Sequence, residues 1–195
     1  MVFSATVPPF IQDLAAQKMK DPLLLDMVGD DTNQIPERIE NKAVICKNHQ
    51  DKMKHVQSYI ENNRDKKILI FTETKSEAKT FEQLHYAKFL TLHGDLEQRA
   101  RENRLETFKQ KGSTNILVAT DVAARGLDID DIDVIIQLGC RHIDSFVHRT
   151  GRTGRVGKQG ENILFFYNSE YPFVLNLESE LNITIKVVSN LTQID

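Results

Sequence analysis

The chain has 195 residues, of which 40% are hydrophobic and 27% are charged. That composition is typical of an ordinary globular domain with one ample core. The net charge of −3 and the pI of about 6.1 exclude a protein that binds nucleic acid through a broad cationic surface. No apolar run approaches the roughly 20 residues of a membrane-spanning helix, and residues 1–6 do not begin a signal peptide, so we expect no membrane association.

The two cysteines, Cys46 and Cys140, lie far apart in the sequence and lack the spacing of metal ligands. Two ordinary thiols favour a reduced, intracellular setting, and we predict no metal site. A single long-range disulfide stays open as the alternative.

The first part of the chain differs from the rest. A helix is predicted where Phe10, Leu14 and Met19 form an approximate apolar stripe, and a short apolar strand follows at 23–25. Residues 29–36 are polar, rich in turn-forming types and without periodicity, which predicts a linker.

Beyond this linker, apolar runs alternate with segments of helical periodicity. Strands are predicted at 39–47, 67–72, 89–92, 116–119, 134–136 and 163–167, with an edge strand within 183–188; helices are predicted at 51–62, 75–84, 98–109, 145–149 and 171–181. This alternation predicts an α/β fold with a parallel sheet covered by helices on both faces.

Ligands of such sheets bind in the loops beyond the carboxyl ends of the strands. Candidate functional groups follow several predicted strands: residues 72–74, 93–95, 120–121 and the residues after Gln137. We therefore expect the functional groups to gather at the carboxyl edge of the sheet.

The stretch His148–Arg155 places three arginines at intervals of three, with a glycine just before each of the last two. A guanidinium is a planar fork that grips phosphate oxygens with two parallel hydrogen bonds, and glycine lets backbone approach another surface closely. The alternative is that these arginines form ordinary ion pairs with surface carboxylates, but such pairs explain poorly why a glycine precedes each of the last two arginines. We interpret the stretch as a phosphate-handling site, focused because residues 141–158 hold five Lys and Arg and one carboxylate.

Two further patterns are less specific. Gln98 and Arg101 are three apart at a predicted helix start, where free N–H groups favour phosphate, although the spacing alone favours a solvated helix face. In residues 120–128, Thr120 and Asp121 can cap a short helix that ends at a glycine, with Asp128 on the turn beyond. That pattern alone also fits a plain capped helix and turn.

Taken together and in order, these segments resemble the second RecA-like lobe of a DEAD-box RNA helicase. Residues 4–6 look like the motif that closes the first lobe, and 70–74 resemble the family's fourth motif. Residues 93–101 match HGxxxQxxR, 119–128 match ATDxAARGxD, and 148–155 match HRxGRxGR in full. The initial His148 favours this family over the related DEAH class. Details of residues 71–75 and 123–129 are similar to the nucleolar Gu, or RNA helicase II, branch.

The resemblance implies a role for each matching residue. Arg152 and Arg155 would be arginine fingers that reach the γ-phosphate of ATP across an interlobe cleft, and Asp128 would bind the ribose. His148, Arg149 and Arg125 would couple the lobes. The RNA contacts, mainly to the sugar-phosphate backbone, would come from Thr72, Gly94, Gln98, Arg101 and Thr120.

The sequence contains neither a G-x-x-x-x-G-K-[ST] phosphate loop nor an Asp-Glu-Ala-Asp motif. ATP with Mg²⁺ would therefore be held mainly by the absent first lobe, and we expect the isolated lobe to be inactive. The resemblance divides the chain into residues 1–33, the end of the first lobe and the interlobe linker, and residues 34–195, the C-terminal RecA-like domain. It implies RNA and the first lobe as partners, and an intracellular location that is nuclear or nucleolar if the Gu branch applies.

Two alternatives remain at this stage. A non-catalytic RNA-binding or adaptor module could keep the fold without ATP chemistry, and a DNA helicase lobe would carry similar motifs. Without its sheet, the first-lobe remnant in residues 1–33 would pack on a neighbouring surface, for which a dimer of the fragment is one arrangement.

Overall fold

The computed structural model describes residues 9–20, 35–110, 114–124, 129, 131–154 and 157–188. The chain divides into two compact units, Met1–Gln34 and Ile35–Asp195. In the first unit, helix α1 (Pro9–Lys18) lies where the apolar stripe predicts a helix. The predicted strand at 23–25 and the motif at 4–6 lie outside the described residues.

The second unit is built on a parallel sheet of seven strands. Its strands are β1 (Ile39–Cys46), β2 (Ile68–Thr72), β3 (Phe89–Leu92), β4 (Ile116–Thr120), β5 (Val134–Gln137), β6 (Gly160–Tyr167) and β7 (Lys186–Val188). They lie side by side in the order β3-β4-β2-β5-β6-β1-β7, and each described pairing is parallel. The predicted fold class, a RecA-like parallel sheet with helices, is confirmed.

Helices connect the strands and cover both faces of the sheet. They are α2 (His49–Asn62), α3 (Lys75–Thr80), α4 (Gln98–Lys109), α5 (Asp121–Ala124), α6 (Ile143–Thr150) and α7 (Tyr171–Leu181). One face of the sheet packs against α2 and α3. The opposite face is covered by two helix pairs, α4 with α5 over one half and α6 with α7 over the other half. Among the described helices, none has the length and apolarity needed to cross a membrane.

The central strand β2 explains why helices are needed on both sides. Each of its five residues is buried. Ile68 and Ile70 belong to the core beneath α2 and α3, whereas Leu69 and Phe71 belong to the core beneath α4 and α5. Alternating residues of one apolar run thus fill two cores, as expected for a strand covered on both faces.

Some predicted bounds differ from those observed. The predicted helix 75–84 ends at Thr80 and continues as a short 3₁₀ turn, Phe81–Gln83, a common termination of an α-helix. Strand β6 begins three residues earlier than predicted because polar Glu161 and Asn162 also lie in the strand, paired with β1.

Asn162 is fully buried because the sheet supplies its hydrogen bonds. It donates to Asn41 Oδ1 on β1 at 2.9 Å and accepts from Gln137 Nε2 on β5 at 2.9 Å. A polar row thus crosses three adjacent strands inside the protein. Since an unpaired buried amide is costly, these bonds fix which polar groups meet and so help define the register of the three strands.

Candidate functional site

The carboxyl edge of the sheet brings together the predicted RNA contacts on β2, β3 and β4. Thr72 and Thr120 are aligned neighbours at the ends of β2 and β4. Leu92 is aligned with Ala119, so the loop that contains Gly94 begins beside them. Gly94 is exposed, and a Cβ placed on it would meet nothing within 4 Å, which leaves open space above its backbone.

Helix α4 places the remaining two predicted RNA contacts close to this edge. Gln98 is exposed and donates to Glu102 Oε1 at 2.7 Å. Arg101 is half-buried and donates from Nη2 to the carbonyl of Ala123 at 2.6 Å, which ties α4 to α5. Arg101 Nε is one of the buried atoms without a hydrogen-bond partner among the described residues.

Thr72 is buried, unlike a residue that contacts a ligand at the surface. The residue is 1% exposed, and its hydroxyl donates to the carbonyl of Thr74 at 3.2 Å. The hydroxyl therefore belongs to the turn between β2 and α3, where Thr74 in turn caps α3 by accepting from the Glu77 N–H. A ligand at this edge would therefore contact the turn that the Thr72 hydroxyl stabilises, and not the hydroxyl itself.

The Arg149 guanidinium is the most constrained group of the site. It is buried and forms two parallel bonds with the Asp121 carboxylate, Nε to Oδ1 at 2.7 Å and Nη2 to Oδ2 at 2.8 Å. Its Nη1 donates to the carbonyl of Gly139 at 2.7 Å and to Gln137 Oε1 at 3.4 Å. This arrangement joins α6, α5 and the end of β5 through one side chain.

Electrostatics and packing keep this guanidinium charged inside the protein. Burial opposes the charge, but the Asp121 carboxylate outweighs burial and raises the pKa of Arg149 above its ordinary value. The guanidinium also stands over the ring of Phe71, 5.3 Å from the centroid. The sequence suggested Asp121 as a helix cap; instead, both carboxylate oxygens face Arg149, because a buried cation demands a charged partner.

Two later residues of the arginine stretch, Thr153 and Gly154, lie at the opposite, amino edge of the sheet. Thr153 forms a bridge with Ile132, just before β5 begins, and its hydroxyl donates to the Ile132 carbonyl at 2.5 Å. Gly154 accepts a hydrogen bond from Arg38 Nε just before β1. The expectation that the functional groups gather at the carboxyl edge therefore holds for residues 72–74, 93–95 and 120–121 but fails here. Helix α6 ends at Thr150, which still contacts Gln137 at the carboxyl end of β5, and the residues that follow the helix lead to the amino edge, where Thr153 meets Ile132.

Gly154 is required by this arrangement. Its φ is +66°, in the left-handed region, and a Cβ there would lie 2.6 Å from Cγ1 of the buried Ile39. The glycine interpreted as allowing close approach therefore approaches the protein's own β1. This contact fixes the loop that follows Arg152.

The structure describes two of the remaining residues of the predicted site and not the other three. His148 is exposed on α6 and Arg152 is half-buried just after the helix ends. Arg125, Asp128 and Arg155 lie outside the described residues. No group of three or more His, Cys, Asp or Glu side chains that could hold a metal ion occurs in the described part of the chain.

Sequence reasoning missed the partners of the site. The pairing of Arg149 with Asp121 joins residues 28 positions apart, and no local pattern indicates it. One signal was present: Gln137 and Asn162 interrupt strongly apolar strands, and buried amides in such positions indicate a hydrogen-bonded network.

Residues 51–157 match the model of the helicase conserved C-terminal domain. This match covers more than half of the chain and includes the carboxyl-edge loops, α5 and the arginine stretch. The chain belongs to this family, as a DEAD-box helicase C-terminal lobe.

Curated relatives support the DEAD-box assignment. The lobe is 40% identical over 188 residues to the DEAD-box ATP-dependent RNA helicase 53 of Oryza sativa subsp. japonica, covering 93% of this chain and 30% of that protein. It is 34% identical over 193 residues to the nucleolar RNA helicase 2 of Mus musculus, covering 95% of this chain and 22% of that protein. The chain thus spans less than a third of the length of these relatives.

Solved structures share the fold. A DEAD box protein from Methanococcus jannaschii is 31% identical with a TM-score of 0.68, and the match covers 95% of this chain and 50% of that chain. Mss116p bound to ssRNA and AMP-PNP is 32% identical with a TM-score of 0.74, over 95% of this chain and 40% of that chain. These chains extend well beyond the DEAD-box lobe described here.

The buried ion pair yields a prediction about stability. Asp121→Asn leaves the Arg149 charge buried without its counter-charge, and we expect the free energy of unfolding to fall by about 3 kcal/mol. Urea unfolding of the 195-residue chain measures the change. The matched control is Asp65→Asn, in an exposed loop, for which we expect a change within about 0.5 kcal/mol. Equal losses in the two variants would contradict the importance of the pair.

Gly154 yields a second prediction. Gly154→Ala forces a Cβ into both the left-handed backbone and the Ile39 side chain, and we expect a loss of about 3 kcal/mol. Gly157 also has a positive φ, +78°, but a Cβ there would meet nothing within 4 Å. Gly157→Ala should therefore cost only the backbone term, about 1 kcal/mol. Thermal or urea unfolding separates the two contributions, and similar losses would show that the approach to β1 is unimportant.

Proposed function

We propose that this lobe supplies one side of a split ATP site and one side of an RNA-binding groove in an ATP-dependent RNA helicase. The observation that carries the proposal is the course of the arginine stretch. Arg149 is fixed at the carboxyl edge by Asp121, while Thr153 and Gly154 are fixed at the amino edge by Ile132 and Arg38. One short segment thus connects two separate surfaces of the lobe.

Arg152 and Arg155 act as arginine fingers toward the γ-phosphate of ATP, and Asp128 binds the ribose. A guanidinium fork suits phosphate because it offers two parallel donors and a permanent charge. The rice relative is named as an ATP-dependent helicase, which supports ATP as the nucleotide. The chemistry requires charge stabilisation at the transferring phosphoryl group, which a finger supplies in other ATPases.

The first lobe holds most of the nucleotide. Mg²⁺ neutralises developing charge on the phosphates in such reactions, and we assign none of its ligands to this chain. The isolated lobe is therefore inactive. Residues 1–33 are assigned to the end of the first lobe and the linker, and residues 34–195 to the C-terminal domain, which the compact unit starting at Ile35 supports.

At the carboxyl edge, Gly94, Gln98, Arg101 and Thr120 contact the RNA backbone, and Thr72 acts by holding the adjoining turn. Contacts to the sugar-phosphate backbone alone imply little sequence specificity. The similar Mss116p structure has ssRNA bound, which supports RNA as the partner and single strands as its form.

Helix α6 couples the two surfaces. Thr120 ends β4 immediately before Asp121, which grips Arg149, and Arg152 follows on the same segment. A shift of the β4–α5 junction on RNA binding is passed to residues 151–154, the finger loop that carries Arg152, because the buried pair resists separation. Arg149 therefore takes part in coupling from inside the lobe, together with the exposed His148 and with Arg125.

A non-catalytic RNA-binding module is the second candidate, and a DNA helicase lobe the third. Intact Arg152, Arg155 and Asp128 favour the catalytic function, since a pure binder has no need of them. For location, we propose an intracellular setting. The nucleolar option is supported by mouse nucleolar RNA helicase 2, but a mitochondrial relative from Arabidopsis thaliana is 36% identical, slightly more than the 34% of the mouse protein.

The split site predicts that the 195-residue chain alone has negligible ATPase activity. Phosphate release is measured with and without single-stranded RNA, and a two-lobe relative serves as the positive control. Robust RNA-stimulated hydrolysis by the lobe alone would contradict the proposal. Light scattering on the same sample tests the fragment dimer, which a strict monomer would exclude.

If Arg152 and Arg155 are arginine fingers, their loss should affect the rate of ATP hydrolysis and not the affinity for ATP in the two-lobe protein. Arg152→Ala or Arg155→Ala should lower kcat by about 10³-fold or more while the affinity for ATP changes little, because a finger acts on transition-state charge. Arg152→Lys is the matched variant that keeps the charge and loses the fork. A loss of ATP affinity as large as the loss of rate would indicate ordinary binding.

A further inference from the structure

Two lysines and one aspartate form a cluster beside the proposed RNA contacts. Lys75 and Lys79 lie one turn apart on α3, so their side chains share one face of the helix. Each binds a different oxygen of Asp95, Lys75 at 2.9 Å from Oδ1 and Lys79 at 2.7 Å from Oδ2. Asp95 follows Gly94 directly in the loop after β3, at the carboxyl edge.

The geometry is that of two ammonium groups holding two oxygens of one anion. All three side chains are well exposed: 62% for Lys75, 48% for Lys79 and 40% for Asp95. Hydrogen bonds from Lys79 and Lys75 lower the pKa of Asp95 to about 2, so its carboxylate is charged at any physiological pH. A charged carboxylate with two oxygens occupies the position that two phosphate oxygens would take.

An exposed ion pair is held weakly. Surface pairs contribute little, because water and salt screen them and two long side chains must be ordered to form them. A nucleic-acid phosphate gains more from the same lysines, since binding also releases the counterions condensed on the strand. The open space above Gly94 leaves room for a backbone to approach the cluster.

We propose that Lys75 and Lys79 form an additional phosphate-binding site for RNA, which Asp95 occupies as an internal competitor when no RNA is bound. The site rests on the proposed function, because it extends the same RNA track from the Gly94 loop onto α3. An RNA phosphate displaces the Asp95 carboxylate and binds both lysine ammonium groups. The native aspartate thus weakens RNA binding by the free lobe.

The test measures the affinity of the 195-residue chain for labelled single-stranded oligouridine by fluorescence anisotropy, across a salt series. Asp95→Asn should bind about three- to fivefold more tightly, since it releases two weakly held lysines. Lys75→Gln combined with Lys79→Gln should weaken binding and reduce the slope of log K against log salt by about 0.7 for each phosphate that the lysines no longer neutralise. In the triple variant, the gain from Asp95→Asn should disappear.

Two controls separate this site from a general change in charge. Glu97→Gln removes an exposed carboxylate at the same edge, two residues from Asp95, without releasing the lysines. Asp131→Asn breaks another exposed lysine–aspartate pair, with Lys158, in the loop before β5. Neither control should reproduce the gain of Asp95→Asn.

The outcomes distinguish the site from the function it rests on. RNA binding that Asp95→Asn and the lysine variant leave unchanged would overturn the lysine site and leave the proposed RNA groove intact. An equal gain in Asp95→Asn and Glu97→Gln, or a gain that persists in the triple variant, would also overturn the site. No RNA binding by the wild-type chain or by Asp95→Asn, and none by the two-lobe protein, would contradict the RNA groove itself.

Discussion

The fold of the lobe depends on the buried charge of Arg149, although burying a charge costs free energy. The Arg149 guanidinium is surrounded by protein, and its charge is tolerated because Asp121 accepts two of its hydrogen bonds and the Gly139 carbonyl accepts another. Such a pair adds little net stability compared with apolar packing, yet removing one partner is strongly destabilising. Its effect is therefore mainly on geometry. It permits one position of α6 relative to α5 and the end of β5.

That position explains how one small lobe presents two surfaces. The end of α6 is held at the carboxyl edge, and the residues that follow it reach the amino edge, where Thr153 and Gly154 pack against the starts of β5 and β1. The proposed RNA contacts lie at the first edge and Arg152 near the second. Under the proposed function, neither surface is a complete site alone, and a second lobe supplies the rest.

The sequence predicted the sheet well because its strands are short apolar runs and its helices carry clear periodicity. Helices α4 and α7 have the predicted bounds, and β2 differs by one residue. The motifs predicted the family, which the comparisons confirm. Periodicity specifies which face a residue occupies but not its distant partner. It therefore could not show that Asp121 binds Arg149, that the Thr72 hydroxyl binds the Thr74 carbonyl, or that Gly154 contacts β1.

Asp121→Asn in the two-lobe protein tests most directly whether the buried pair couples RNA binding to the finger loop. ATP hydrolysis is measured against RNA concentration at a temperature where circular dichroism shows the variant to be folded. We expect the RNA concentration for half-maximal stimulation to change little, because the RNA contacts remain, while the maximal stimulated rate falls at least about tenfold. A maximal rate equal to that of the wild type, with the protein folded and the pair broken, would contradict the coupling.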